Sequence, residues 1–199
     1  VYPGLIAADS LLGLIETEQV DVTRDHDEYG SLTPESRVIV AMNPDSDMIP
    51  VARAAGILTA MVSPDGGRLP GQGAVVRLDG WTSEDLAIEP EAALLLEWPR
   101  SRGRGSGGAQ RAADQVKELN DFFDAAERYF VAREHDPLAK PDLRYESMRA
   151  AMNHEVPILV RASTAGQIES AAGWASDRGL RIVILGGEEA DRVGDAGAR

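Results

Sequence analysis

With 43 % hydrophobic and 27 % charged residues, a chain of 199 residues can build a substantial core, removing about 70 % of its unfolded surface from water, which argues against disorder throughout. Its 33 acidic and 20 basic side chains give a formal charge of -13, which repels phosphate backbones and anionic membranes and argues against both as partners. The lack of cysteine excludes disulfides, thiol nucleophiles and thiolate metal sites.

In chain order, residues 2 to 8 read as a first strand and the charged, turn-rich DVTRDHDEYGSLTPES as a surface excursion. VIVAM at 38 to 42 is β-branched enough to be expected as a second strand. Asn43, Pro44, Asp45 and Ser46 stop it, and Ser46 or Asp47 caps a short helix through IPVARAAG that ends at Gly56. ILTAMVS (57 to 63) is a buried strand followed by the turn PDGG, and GQGAVVRLDG carries an apolar run at 74 to 76. Trp81 to Asp85 reads as a capped helical turn and LLLEW (94 to 98) as a strand.

PRSRGRGSGG at 99 to 108 is expected to be a flexible loop or internal linker. The period then changes: Val116, Leu119, Phe122, Phe123, Ala126, Tyr129 and Phe130 recur three or four apart, which predicts an amphipathic helix over 109 to 133. After DPLAKPD, helix resumes over 143 to 152. VPILVRA (156 to 162), a helix over 165 to 178 and LRIVILG (180 to 186) then make a strand, helix, strand unit, and a short helix follows GG. Continuous apolar strands around a helix imply α/β architecture with a parallel sheet; periodicity alone leaves barrel and open sheet equal.

Several polar groups stand where ligands gather in such folds. Asp9, at the end of the first strand, either holds a cation or substrate or fixes the next turn. Asp25, His26, Asp27 and Glu28 offer oxygen and imidazole ligands, or form a solvated acidic loop. Asn43, Asp45, Ser46 and Asp47 are explained by capping, with an anion or cation site as the rival. The glycines of PDGGRLPGQG match neither the phosphate-binding loop nor the dinucleotide fingerprint. Arg100, Arg102 and Arg104 form a small basic patch without the aromatics a nucleic-acid platform needs. Arg161 either clamps a carboxylate or holds a structural ion pair. Gly186 and Gly187 could admit a ligand close to backbone amides. No serine, histidine and acid triad and no HExxH helix can be assembled.

VYPGLIAADSLLGL, AMNPDSDMIPVARAAGILTAMVSPDGG, GQGAVVRLDGWTSEDLAI and VPILVRASTAGQIESAAGWASDRGLRIVILGG together resemble the amidohydrolase superfamily, in particular the bacterial imidazolonepropionase-like group. The likeness extends over nearly the whole chain and lies in the ordered series of blocks. It implies a metal-dependent hydrolase on a (β/α)8 barrel. Two histidines of the first strand and others on strands five and six bind zinc or a related ion. An aspartate of the eighth strand helps activate the water that attacks an amide, lactam or ester.

The sequence departs from that pattern at each position it contains. Alignment of the blocks puts Asp9 at the first histidine, Leu11 at the second, Arg161 at the fifth-strand histidine and Gly186 at the sixth-strand one. An arginine there disfavours a nearby cation. The eighth-strand aspartate has no counterpart. A complete barrel takes about 250 residues, so 1 to 199 is expected to be one amidohydrolase-like domain present as a fragment.

The expected fold is therefore α/β, a partial or divergent amidohydrolase-type TIM barrel. The expected function is hydrolysis of non-peptide carbon–nitrogen bonds, amide or lactam; the alternative is a non-catalytic binding or assembly module that lost its metal ligands. A carbohydrate- or peptide-binding α/β protein is a third case, without a supporting constellation. Asp9 and Arg161 are the candidate substrate anchors, Asp9 the candidate metal ligand, and Gly186 and Gly187 candidate anion or backbone contacts. The cofactor is a divalent metal such as zinc, or none. The expected partners are a small-molecule substrate and the remaining barrel segment or a second polypeptide, with no nucleic acid and no membrane. No apolar run approaches about 18 residues and no leader precedes Val1. The opening VYPGLI, without methionine, suggests a soluble processed or excised piece, with a periplasmic or secreted location among the possibilities.

Overall fold

A computed structural model of the chain describes residues 3–15, 30–100, 106–136, 138 and 140–194. The acidic run Asp25 to Glu28, together with Arg102 and Arg104, lies outside them. Six strands form one sheet in chain order: β1 (Leu5–Ser10), β2 (Ile57–Val62), β3 (Gly71–Arg77), β4 (Ala87–Glu97), β5 (Ile158–Ala162) and β6 (Ile182–Gly186). β1 and β2 pair parallel, as do β4 with β5 and β5 with β6, whereas β3 runs antiparallel to both its neighbours.

Connection length explains that reversal. Parallel neighbours need a crossover of about a dozen residues or more. The chain supplies one between β1 and β2, where α1 (Val38–Ala41) and α2 (Met48–Ala54) lie. Another separates β4 from β5, with α4 (Ser106–His135), α5 (Leu143–Glu146) and α6 (Arg149–Met152), and a third is α7 (Ala165–Arg178) between β5 and β6. Residues 63–70 and 78–86 on either side of β3 are too few, and the second holds only the single turn α3 (Ser83–Leu86). The chain therefore doubles back there. The sheet curls into a partly closed mixed barrel with helices on its outside.

VIVAM is a helical turn, not the strand its β-branched residues predict. In a strand, Val38, Val40 and Met42 would share a face; instead Val38, Ile39 and Met42 are buried while Val40 is 72 % exposed. That is helical spacing, and burial against Leu14, Ile49, Ala60, Val62 and Val76 outweighs the weak local preference for strand. The helix over IPVARAAG begins at Met48 and ends at Ala54, with Gly56 following at φ 93. Thr82 caps α3 by accepting from the Asp85 amide at 3.1 Å, as the motif WTSED predicts.

The long amphipathic helix forms as α4, starting already at Ser106. Its residues Leu119, Phe123 and Ala126, four and three apart, are fully buried against Leu94, Leu96, Ile158 and Val160 of the sheet and Trp174 of α7. α7 has a reciprocal capping box: Thr164 Oγ1 accepts from the Gln167 amide at 3.4 Å and Gln167 Oε1 accepts from the Thr164 amide at 3.3 Å. Gly179 stops it in the left-handed conformation, φ 63. The Arg178 guanidinium ties α7 to α4 through Asn120, Asp124 and Glu127.

Strand alternation divides the sheet into two surfaces and places the site. Leu94, Leu96, Ile158 and Val160 face the helices. The residues between them, Ala93, Leu95 and Leu159, join Met61, Val75 and Leu185 in a separate apolar cluster on the inner face. Continuing the same rows toward the carboxyl ends of the parallel strands brings the chain to Glu97 on β4 and Arg161 on β5.

Candidate functional site

Glu97 and Arg161 are register partners on adjacent parallel strands. Their charges therefore meet above the apolar floor, with Arg161 Nη1 donating to Glu97 Oε1 at 3.1 Å. From the other side of the barrel mouth Asp9 of β1 closes on the same guanidinium. Arg161 Nη2 donates to Asp9 Oδ1 at 3.0 Å and Nε to Oδ2 at 3.3 Å, the paired geometry in which an arginine grips a carboxylate. The loop after β2 supplies two further oxygens: the Pro64 carbonyl accepts from Nη1 at 3.1 Å, and Asp65 Oδ1 lies 3.5 Å away.

The Arg161 side chain is only 18 % exposed. Burial pushes its guanidinium down, and the hydrogen bonds and charges of Asp9 and Glu97 outweigh that and hold it above its ordinary value. Of its five N–H donors, those on Nε and Nη1 are engaged and one of the two on Nη2 is taken by Asp9. One Nη2 N–H is left uncommitted among the described residues.

These groups line a pocket of about 800 Å³ at the mouth, with Arg68, Trp98 and Arg100 on its rim. Arg68 is paired with Glu118 of α4. The loop Asp65 to Arg68 passes so close to the preceding excursion that a Cβ on Gly67 (φ +70) would stand 2.6 Å from the Gly30 carbonyl oxygen. The positive φ and the missing Cβ are both required there. Ser63, on the inner side with Met61 by strand alternation, is fully buried, and its Oγ has no hydrogen-bond partner among the described residues.

Asp9 and Arg161, 152 residues apart in sequence, are thus brought together in one cluster, while Gly186 and Gly187 are not among the residues lining the pocket. The Gly187 amide donates to the Ala162 carbonyl at 2.9 Å. Nearby, the Glu189 carboxylate accepts from the Ala165 amide at 3.0 Å, occupying the first turn of α7. Asn43 and Ser46 make local turns, accepting from the Asp45 amide at 3.0 Å and the Met48 amide at 3.3 Å. Ser46 lies with Asp45 and Asp47 around a different, smaller pocket beside Trp81.

Asp65 and Glu97 are site residues that sequence reasoning passed over. Glu97 carried a signal: a carboxylate in the apolar run LLLEW on the inner-facing parity of a buried strand. Asp65 carried none beyond its place after β2.

A metal of the kind the resemblance implies does not fit the described residues. Leu11 offers no ligand atom, the carboxylates of Asp9, Asp65 and Glu97 all face the guanidinium of Arg161, and no group of three His, Asp or Glu side chains suited to an ion occurs among the described residues. No helix there is long and apolar enough to cross a membrane.

No family model and no curated protein sequence matches the chain. Among solved structures, the crystal structure of an amidohydrolase from Thermotoga maritima MSB8 superposes with a TM-score of 0.83 at 23 % identity. The match covers 96 % of this chain and 53 % of that one, so the chain spans about half the length of the protein it matches. The fold is an α/β barrel matching part of the one in that amidohydrolase.

Proposed function

We propose that the barrel mouth acts on a small polar molecule, hydrolysing a non-peptide carbon–nitrogen bond of an amide or lactam, as in the imidazolonepropionase-like group that the sequence resembles. One observation carries this reading: charged side chains from the ends of β1, β4 and β5, and from the loop after β2, converge on a single pocket. Substrates of α/β folds are held at that end of the strands.

In this reading Arg161 anchors the substrate through its uncommitted Nη2 N–H, which suits a single carbonyl or carboxylate oxygen. A two-pronged clamp would need donors already given to Asp9. Asp9 in turn fixes the plane of the guanidinium, and through it the direction of that N–H. Leu11, Trp98 and Pro99, which line the pocket, take the apolar part of the ligand.

A second reading, a binding or assembly module on the same scaffold, is favoured by Leu11 and Arg161 standing where the resemblance places metal ligands. Turnover separates the two. The intact protein is assayed against a panel of N-acyl amino acids and five-membered lactams, beside Asp9→Ala and Arg161→Met. The hydrolase reading expects release of the amine or opened ring, at least tenfold slower in both variants. No release with a ligand still bound would leave the module reading standing, and equal release in all three would place the hydrolysis away from Asp9 and Arg161.

A further inference from the structure

We propose that β6 is a pairing edge for a second copy of this chain, and that two copies join antiparallel about Ile184 into one continuous sheet. The inference rests on the fold and goes beyond the chemistry of the mouth, so it holds whether or not the mouth hydrolyses amides.

β6 has a sheet neighbour on one side only: β5 precedes it, and among the described residues no strand follows. The Arg181 carbonyl accepts from the Ile158 amide at 3.0 Å, and the Gly187 amide donates to the Ala162 carbonyl at 2.9 Å. Alternation along the strand then turns the N–H and C=O of Ile182, Ile184 and Gly186 to the free side. Folded proteins blunt such an edge with charge, proline or a bulge. β1, the other edge strand, follows that rule, since its register slips twice against β2 and it carries Asp9. β6 does not. Its sequence IVILG has no charge and no proline, it pairs with β5 without a slip over all five residues, and Val183 is 47 % exposed.

What fits this edge is its own reverse. Antiparallel pairing centred on Ile184 sets Ile182 against Gly186 of the other copy and gives each outward-facing N–H a carbonyl. The same register brings Arg181, just before the strand in one copy, beside the turn that carries Glu188, just after the strand in the other. Arg181 and Glu188 are exposed, and neither side chain has an ion pair or hydrogen bond among the described residues. Their attraction, repeated at both ends of the pair, offsets part of the repulsion between two chains of charge -13. A strand from a different polypeptide is the rival occupant, since this chain spans about half of the amidohydrolase it matches. The order of the charges, cation before the strand and carboxylate after it, favours the second copy. Five residues a side make a small interface, so the dimer is weak and separates on dilution.

The test is analytical ultracentrifugation of the intact protein at about 5 to 500 µM, with amide hydrogen exchange at both ends of that range. The wild type is expected to move toward twice the monomer mass as concentration rises. Arg181→Glu and Glu188→Arg, both at exposed positions, should each weaken association about tenfold, and the two together should restore it. Val183→Lys, which puts a charge on the edge strand, should abolish it. A wild type that stays monomeric throughout would overturn the proposal, and so would a dimer that all three single variants leave intact. Exchange in the wild type decides the matter even where a variant does not fold. Slower exchange of the Ile182 and Ile184 amides at the higher concentration would sustain the proposal, and equal rates would overturn it. Protection of those amides only on adding a different polypeptide would give the edge to that partner and overturn the second copy. Amide hydrolysis enters none of these readings, so failure here and failure of the hydrolase proposal remain distinguishable.

Discussion

Arg161 of β5 and Asp9 of β1 share two hydrogen bonds, Nη2 to Oδ1 at 3.0 Å and Nε to Oδ2 at 3.3 Å, linking strands that are not neighbours in the sheet. Removing one partner of a buried pair costs about 3–5 kcal/mol because the other is left uncompensated, and partial exposure of the carboxylates lowers this. Arg161→Met should therefore destabilise the fold by about 2 kcal/mol in urea unfolding. Asp9→Asn should cost less, because Glu97 and Asp65 still face the cation. In a double-mutant cycle the two should couple by about 1 kcal/mol; strict additivity would mean that the pair does not hold β1 in place.

A second network gives a pH dependence. Tyr129 Oη donates to Glu146 at 2.6 Å and Arg149 donates through Nε and Nη2. The Tyr129 hydrogen bond, with burial opposing and the Arg149 contacts adding, holds the Glu146 carboxyl below the usual range. A carboxyl depressed by folding contributes stability that is present above its unfolded value and lost as pH falls through the folded one. The urea midpoint should thus drop below about pH 4.3, the ordinary glutamate value, and less steeply in Glu146→Gln. Identical acid limbs would remove Glu146 from the explanation.

The capping box of α7 sits directly after β5 and orients the helix that backs Arg161. Thr164→Ala removes the acceptor for the Gln167 amide and should cost about 1 kcal/mol. Thr164→Ser, which keeps the oxygen, should restore most of it. Thermal unfolding of the two variants checks both statements.

At Gly67 an alanine must adopt φ +70 and place its Cβ 2.6 Å from the Gly30 carbonyl oxygen, backbone that cannot swing aside. Gly67→Ala should lower stability by about 1–3 kcal/mol and move the Asp65 loop away from Arg161. Circular dichroism melting would show the first, and loss of any ligand bound at the mouth the second. An unchanged Tm would mean that the two segments separate easily.

The parts of the fold legible in the sequence are those whose signals are local. The strand, helix, strand unit over β5, α7 and β6 announces itself through two apolar runs around a helix expected over 165 to 178. Val38 to Ala41 does not, because its β-branched side chains argue for a strand and only their burial against β2 and β3 makes the turn helical. The reversal of β3 depends on connection lengths that are easily read once the strands are placed, and are mute before that.

The site divides in the same way. Asp9 and Arg161 are suspicious individually, since each ends a strand, yet nothing in the sequence says that they touch across 152 residues. Both the clamp and the ion-pair reading of Arg161 were open, and the register of Glu97 with Arg161 supplies the ion pair. Asp65 enters the cluster only because Gly67 lets its loop approach Gly30.

The most direct measurement is a crystal structure of the intact protein grown with Mn²⁺, with diffraction collected where manganese scatters anomalously. The expected map shows the Arg161 guanidinium between Asp9 and Glu97, with no anomalous peak among the three carboxylates. A manganese peak bridging Asp9, Asp65 and Glu97, with Arg161 turned away, would contradict the ion-paired arrangement of the barrel mouth.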